Sequence, residues 1–135
     1  MRFVLDASVA AAWCFHDEQD ARADAAFALM QRDASALVPP LWWFEVRNAG
    51  LLGGRRKRIT ENEMTTFFSR LARMLIDIAE LQEETPVFAL AQRHRLSFYD
   101  AAYLELAQRQ DIALATLDQA LARAAVAENV ALIGA

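Results

Sequence analysis

Four acidic residues of this chain stand where its predicted elements begin or end, and carboxylates so placed could bind a divalent cation. They are Asp6, Glu45, Asp100 and Asp118. Two of them follow the short apolar runs 3–5 and 112–117, and a third lies inside the apolar stretch 41–46. Acids at the rim of a buried core are costly unless a cation or hydrogen bonds compensate their charge. Such a cluster is what a metal-dependent phosphodiesterase requires.

The expected cofactor is Mg²⁺ or Mn²⁺, as one or two ions. Hard divalent cations prefer carboxylate oxygens, and they relieve the repulsion that would otherwise raise the pKa of neighbouring carboxyl groups. A metal-bound water is a better nucleophile, and a second ion about 3.5–4 Å away can stabilise the leaving oxygen. Zinc is not indicated, because His16, His94 and Cys14 form no clustered motif.

Each acid also has a purely structural interpretation, which the residues themselves leave open. Asp6 and Asp118 could each cap the helix that follows, and Ser97-x-x-Asp100 could be a capping box. Glu45 could point to solvent between its apolar neighbours. The interpretation as a metal site therefore rests on all four acids together.

Polar and basic residues near these acids could assist such a site. Ser8 and Thr116 each stand two residues from an acid of the predicted sheet rim, where a hydroxyl could hold a carboxylate or a water, or could act as a local helix cap. The densest positive stretch could contact a phosphate backbone or an acidic partner segment, or could be a solvated loop. It consists of Arg55, Arg56, Lys57 and Arg58.

Length and composition predict one domain over residues 1–135. The net charge of −4 argues against a surface that coats nucleic acid, although a nuclease with an acidic centre stays compatible with it.

The single cysteine cannot form an internal disulfide, which fits a reducing compartment. No convincing signal peptide is present, and no run approaches the roughly 18 apolar residues of a membrane span. We therefore expect a cytoplasmic protein.

Short apolar segments alternate with helical patterns along the whole chain. We expect strands at about 2–5, 36–38, 76–81, 112–116 and 130–133. We expect helices directly after the first strand and at about 20–32, 41–52, 60–75, 85–94, 97–109 and 118–128. Thr60 to Glu63 has the form of a capping box, and Gly53-Gly54 is expected to end the helix before it. The alternation predicts an α/β fold, a three-layer α/β/α sandwich around a mainly parallel sheet of four to five strands.

This fold would bring the four acids to one edge of the sheet. Open α/β sheets bind ligands outside the carboxyl ends of their strands, and Asp6 and Asp118 both stand just past such ends. Asp100 can face the same edge from the first turn of its helix, and Glu45 can reach it from its own helix. We therefore expect acids from four distant segments to lie together at this edge.

Four short motifs follow one another along nearly the whole chain. They are Val4-Leu5-Asp6-Ala7-Ser8-Val9, then Pro39 followed by Glu45-Val46 and Asn48, then Tyr99-Asp100-Ala101-Ala102-Tyr103-Leu104, then Ala115-Thr116-Leu117-Asp118 followed by Leu121. Each motif alone is degenerate, but the ordered set resembles the PIN-domain family. Within that family it looks most like the VapC-type toxins of toxin–antitoxin pairs.

The resemblance implies a Mg²⁺- or Mn²⁺-dependent endoribonuclease that forms homodimers. It also implies inhibition by a cognate VapB-like antitoxin, whose tail carries a residue into the acidic site. Asp6, Glu45, Asp100 and Asp118 match the acidic positions of the family, and Asn48 and Thr116 match its supporting polar positions. Members of the family act on different RNAs, so the resemblance implies RNA as substrate without naming which one.

Two other classes with acids at a sheet edge fit the chain less well. A phosphatase of the haloacid-dehalogenase kind expects a second aspartate where Ser8 stands. A response-regulator receiver needs a lysine after a late strand, and the only lysine is Lys57. A PIN-like interaction module without catalysis and a stand-alone RNA-processing nuclease without an antitoxin both stay open.

Overall fold

The computed structural model describes residues 1–134, and four strands within them form one sheet. The strands are β1 (Arg2–Leu5), β2 (Ser35–Val38), β3 (Ile76–Ile78) and β4 (Ala113–Ala115). The helices are α1 (Ala7–Ala12), α2 (Ala21–Gln31), α3 (Leu41–Arg55), α4 (Glu61–Ala72), α5 (Glu84–His94), α6 (Phe98–Gln110) and α7 (Gln119–Ala127).

The sheet is entirely parallel, in the order β3-β2-β1-β4. Phe3 of β1 pairs with Ala36 of β2 on one side and with Ala113 of β4 on the other. Because β1 is central and covered on both faces, its residues Phe3, Val4 and Leu5 are 0% exposed, which explains their uninterrupted apolar run. The predicted α/β fold with a mainly parallel sheet is confirmed.

The strand order creates a crevice at the carboxyl ends of β1 and β4. The chain proceeds outward from β1 to β2 to β3 and then returns past β1 to form β4. Right-handed crossovers put the helices of the first two connections on one face of the sheet and those of the third on the other. The helices group accordingly, since α1 contacts α2 and α3, whereas α6 contacts α5 and α7. Neighbouring strands whose connections leave to opposite faces are where open α/β sheets bind ligands.

Several helix boundaries differ from those predicted. Helix α3 continues through Gly53 to Arg55, because Gly53 serves close packing rather than termination: a methyl group there would overlap the ring of Phe15. Helix α5 begins at Glu84, one residue before the predicted start, so that Pro86 lies in the first turn, where its missing N–H is tolerated. Helix α4 ends at Ala72, although its predicted capping box at Thr60 and Glu63 is present.

Two predicted strands are longer than the strands in the structure. β3 ends at Ile78, so Leu81 lies outside it and is exposed. The predicted strand at 130–133 is reduced to a single bridge between Leu132 and Leu114. The sheet therefore has four strands, at the lower end of the predicted range. None of the helices formed by residues 1–134 has both the length and the apolarity needed to cross a membrane.

Glu128 joins the ends of three helices on one side of the sheet. One of its carboxylate oxygens, Oε2, accepts a bond from Arg93 (2.8 Å) and lies 2.6 Å from Nε2 of His94, both on α5. Its other oxygen, Oε1, accepts a bond from Gln108 of α6 at 3.0 Å. Because these partners favour the charged form, with His94 the largest cause, the pKa of Glu128 falls from its ordinary 4.5 to about 2.

We expect Glu128→Gln to lower the free energy of unfolding at pH 7 by about 1 kcal/mol, since the charged acceptor is lost. The folded-state pKa is depressed, so the contribution of Glu128 is present above about pH 4.5 and disappears as the pH falls toward about 2. The difference between the wild-type chain and the variant, measured by urea unfolding, should therefore shrink from pH 7 to pH 3. Glu80→Gln, at an exposed position, is the control. An equal difference at both pH values would contradict this account.

Candidate active site

Asp6 occupies the crevice between β1 and β4. It directly follows β1, and its backbone N–H donates to the carbonyl of Ala115 at 2.9 Å, which extends the pairing of the two strands. Asp6 is the N-cap residue of α1, but its side chain makes no capping bond. Asp6 is only 5% exposed, so a capping role does not explain why an acid is buried here.

Two hydroxyl groups hold this buried carboxylate. Oδ2 of Asp6 accepts bonds from Ser8 (2.6 Å) and Thr116 (2.7 Å). The Ser8 hydroxyl accepts the N–H of Leu117 at 3.0 Å, and the Thr116 hydroxyl accepts that of Asp118 at 3.0 Å. A hydroxyl has one proton, and here the backbone donors leave it directed at Asp6. The loop after β4 is thereby tied to the end of β1, with Oδ1 of Asp6 outside these bonds.

Glu45 reaches the same region from α3 and is held by α6. Its Oε1 accepts a bond of 2.6 Å from the hydroxyl of Tyr103, a residue with no exposed surface. The hydroxyl directs the half-buried carboxylate inward. The alternative interpretation, in which Glu45 points to solvent, is therefore wrong. Burial, together with the charges of Asp6 and Glu45, raises the pKa of the Tyr103 phenol, so this group stays a proton donor.

The other two acids stand at helix N-termini. The Ser97 hydroxyl accepts the N–H of Asp100 at 3.0 Å, which is half of the predicted capping box. Oδ1 of Asp118 accepts the N–H of Leu121 at 2.8 Å, so Asp118 does cap α7. Capping uses one oxygen of Asp118 and leaves Oδ2 for another partner. The capping interpretation and the ligand interpretation are therefore compatible for this residue.

The four acids act on one another as like charges. Burial is the largest cause of the raised pKa of Asp6, Glu45 and Asp100. The next contribution from charge is repulsive in each case: Asp118 acts on Asp6, while Asp6 acts on both Glu45 and Asp100. Every charged group that shifts these three carboxyls is another member of the set. Several acids elsewhere have basic partners, as in the pairs Arg22–Asp20, Arg58–Asp17 and Arg109–Glu105.

This donor set fits a hard divalent cation. It consists of carboxylates with free oxygens, it carries an excess of negative charge, and no cationic side chain acts on its raised carboxyls. Within residues 1–134, however, no three acidic, histidine or cysteine side chains converge tightly enough to hold one ion directly as they stand. Waters, which Mg²⁺ retains readily, or small side-chain adjustments would have to complete the coordination.

The remaining predicted residues are Asn48 and the basic stretch 55–58. Asn48 is exposed, one helical turn after Glu45, and lines a shallow depression with it. In the basic stretch, Arg58 is already engaged: it donates to Asp17 (2.9 Å) and Glu18 (3.0 Å) and covers the ring of Phe15. The exposed residues of that stretch with no such engagement are Arg55, Arg56 and Lys57.

Tyr103 is the one residue at this edge whose contact was not foreseen. It lies three positions after Asp100, on the same face of α6, which is the spacing that could have indicated it. Its partner Glu45 is 58 positions away in sequence, so only the packing of α6 against α3 brings the two together.

Comparisons with known proteins agree with this architecture. The PIN domain family model matches residues 3–127. Ribonuclease VapC3 of Pyrobaculum aerophilum is 32% identical to this chain over 131 residues, covering 90% of this chain and 93% of the relative. The crystal structure of PAE2754 from Pyrobaculum aerophilum matches with a TM-score of 0.68 at 20% identity, covering 92% of this chain and 84% of that one. This last likeness concerns the fold alone.

Replacing the buried charge should stabilise the metal-free protein. We expect Asp6→Asn to raise its free energy of unfolding at pH 8 by about 1 kcal/mol, because repulsion is removed while both hydroxyls keep an acceptor. The folded-state pKa of Asp6 is raised, so its penalty is absent below about pH 3.8 and grows as the pH rises through the folded value. The gain should therefore vanish in acid. Thermal unfolding in a chelator at several pH values measures it.

Added Mg²⁺ supplies the matched comparison for this variant. It should raise the melting temperature of the wild-type chain and of Asp77→Asn, an exposed acid on β3, more than that of Asp6→Asn. If Asp6→Asn instead failed to fold, the fold would require the Asp6 carboxylate. This result would contradict the account in which its charge destabilises the metal-free protein.

Proposed function

This chain belongs to the PIN-domain family, and we propose that it is a metal-dependent endoribonuclease of the VapC toxin type, built as a single domain over residues 1–135. The observation that carries the proposal is the set of mutually repelling carboxylates in the crevice between β1 and β4, shifted by no cationic side chain. The name of the relative, a ribonuclease, supplies RNA as the substrate class. Phosphodiester hydrolysis is the chemistry that such a donor set serves.

We assign Asp6, Glu45, Asp100 and Asp118 to holding Mg²⁺ or Mn²⁺, as one or two ions. When bound, the metal would activate a water for attack on phosphorus and stabilise the leaving oxygen. Three of the acids have an oxygen outside their structural bonds: Oδ1 of Asp6, Oε2 of Glu45 and Oδ2 of Asp118. These oxygens are the ones available to a cation.

Other residues of the chain would keep the acids in place. Ser8 and Thr116 fix the rotamer of Asp6 by donating to a single oxygen, and Tyr103 does the same for Glu45. Partners of this kind orient the ligands of a metal and raise its affinity. Asn48, which lines a shallow depression with Glu45 on α3, would bond a phosphate or ribose oxygen of the RNA.

The same proposal extends to partners and location. A VapC-type toxin requires a cognate VapB-like antitoxin, here an inhibitor that reaches the acidic edge, and it acts on RNA in the cytoplasm as a homodimer. The exposed Arg55, Arg56 and Lys57 at the end of α3 suit an RNA backbone or an acidic antitoxin segment. A small reading frame directly upstream that encodes a DNA-binding protein would support the antitoxin. Its absence would favour a stand-alone nuclease.

Purified protein should cleave RNA internally in Mg²⁺ or Mn²⁺ and stop when a chelator is added. Asp100→Asn should lower the rate by roughly 100-fold or more, because a metal ligand is lost. Asp77→Asn, equally acidic but on the outer strand β3, should be unchanged. Gel analysis of a mixed RNA substrate measures cleavage by the wild-type chain and by the two variants. Cleavage that persists in chelator, or equal loss in both variants, would contradict the proposal.

Removal of one supporting hydroxyl should weaken metal binding and not abolish the chemistry. Thr116→Val keeps the volume but removes the donor to Asp6 and the acceptor for Asp118 N–H. We expect roughly 10-fold lower activity at limiting Mg²⁺, partly restored at high Mg²⁺. Thr116→Ser, which retains the hydroxyl, is the control. A loss that no Mg²⁺ concentration reduces would argue against a role through Asp6.

A further inference from the structure

The chain covers one edge of its sheet and leaves the other free. At the β4 edge, Leu114 donates its N–H to the carbonyl of Ala131 (2.9 Å) and accepts the N–H of Ile133 (3.0 Å). At the opposite edge, no segment within residues 1–134 pairs with the outer side of β3. The unpaired N–H and C=O groups of a free edge can bind another strand.

The pairing of β3 with β2 determines which backbone groups of β3 are free. In a parallel ladder, alternate residues of a strand bond the same neighbouring strand. The carbonyl of Leu75 accepts the N–H of Ala36 at 2.8 Å, and Ala79 donates its N–H to the carbonyl of Val38 at 2.8 Å. Ile78 alternates with these bonded residues, so its N–H and C=O are directed away from β2.

Apolar side chains are exposed along the same edge. Leu75 is 58% exposed, Ile78 is 52% exposed and Leu81 is 88% exposed. Ile78 also borders a cavity of about 160 Å³, which Trp43 and Met74 help to line. Single exposed apolar residues need no explanation, but three of them within seven residues of a free strand edge form a surface that another strand could cover.

The spacing of these three residues makes the edge complementary to itself. When two copies pair antiparallel with the two-fold axis at Ile78, this residue faces its own counterpart, and their outward N–H and C=O groups exchange two hydrogen bonds. Leu75 and Leu81 are equally far from Ile78 in sequence, so Leu75 of each copy faces Leu81 of the other. Each exposed apolar side chain then meets another apolar side chain.

Charge favours this register over the neighbouring one. An axis at Asp77 would place two carboxylates directly opposite each other, which is destabilising. An axis at Ile76 would use an N–H that already donates to the carbonyl of Met74 at 3.0 Å. With the axis at Ile78, Asp77 faces Ala79 of the second copy, and the backbone groups at the axis are the free ones.

We propose that two copies of this chain pair through the free edge of β3, antiparallel about Ile78, so that their four-stranded sheets form one sheet of eight strands. This inference rests on the homodimer of the proposed function and supplies its surface. The contact lies two strands away from β1, so it uses none of the four acids.

A disulfide placed on the two-fold axis tests the register directly. Facing Cα atoms of a hydrogen-bonded antiparallel pair are about 5.5 Å apart, which is within the range of about 4.4–6.8 Å that a disulfide spans. The only natural cysteine, Cys14, is buried. Ile78→Cys should therefore give a covalent dimer on mild oxidation, seen on a non-reducing gel. Val126→Cys, at a position of α7 that is 64% exposed, should not, and is the matched control.

Sedimentation measures the same contact without a cross-link. Ile78→Pro removes the outward N–H but none of the bonds to β2, so the folded variant should dimerise about 10-fold or more weakly than the wild-type chain. Leu81→Lys, which places a charge against Leu75 of the second copy, should weaken the dimer similarly and does not alter the backbone. Leu51→Lys, at an exposed apolar position of α3, should leave it unchanged. Circular dichroism checks that each variant is folded.

Three results would overturn the inference. Failure of Ile78→Cys to cross-link would exclude the register with its axis at this residue. A dimer that persists in Leu81→Lys but dissociates in Leu51→Lys would assign the homodimer to α3 and leave the rest of the proposed function standing. A wild-type chain that stays monomeric at high concentration would contradict the homodimer and the inference together. None of these measurements uses RNA or metal, so failure of the nuclease proposal would be seen separately, in the cleavage assay.

Discussion

The two hydroxyl bonds that converge on the buried Asp6 carboxylate join the ends of β1 and β4, and the acidic edge of the sheet is built around them. Because Ser8 and Thr116 each accept a backbone N–H from the loop after β4, their protons are directed to the same oxygen of Asp6. A carboxylate this deeply buried would otherwise be costly, since desolvation disfavours the charged form. The bonds lower that cost and leave the second oxygen of Asp6 outside the network.

The charge of the site is compensated only in part. Hydroxyls satisfy one oxygen each of Asp6 and Glu45, and a backbone N–H satisfies one of Asp118. The charges that shift the pKa of Asp6 and Glu45, however, are repulsive. Most ion pairs within residues 1–134 join acids to arginines, so those acids have a compensating charge beside them. An unbalanced acidic set lowers stability, and proteins retain such sites where activity requires them.

Most of the fold could be predicted from the sequence, because the signals involved are local. The apolar run of β1 reflects burial on both faces, and the box at Thr60 and Glu63 forms from residues three positions apart. Errors arose where a distant contact decided the outcome. Gly53 lies inside α3 because Phe15 packs against it, and the last predicted strand is reduced to one bridge with Leu114.

The sequence by itself determined which acids follow strand ends and helix starts, since that depends on the short-range order of apolar runs and caps. It also determined the family, because the ordered set of motifs is specific although each motif alone is degenerate. Only the tertiary structure decided how the acids are held: Tyr103 bonds Glu45 across 58 positions, and Thr116 bonds Asp6 across 110. It also decided that Arg58 is engaged by Asp17 and Glu18 and that Asp118 caps a helix as well. The physical reason is that a hydrogen bond or a Coulomb interaction depends on distance in space, which sequence spacing fixes only within a single helix or turn.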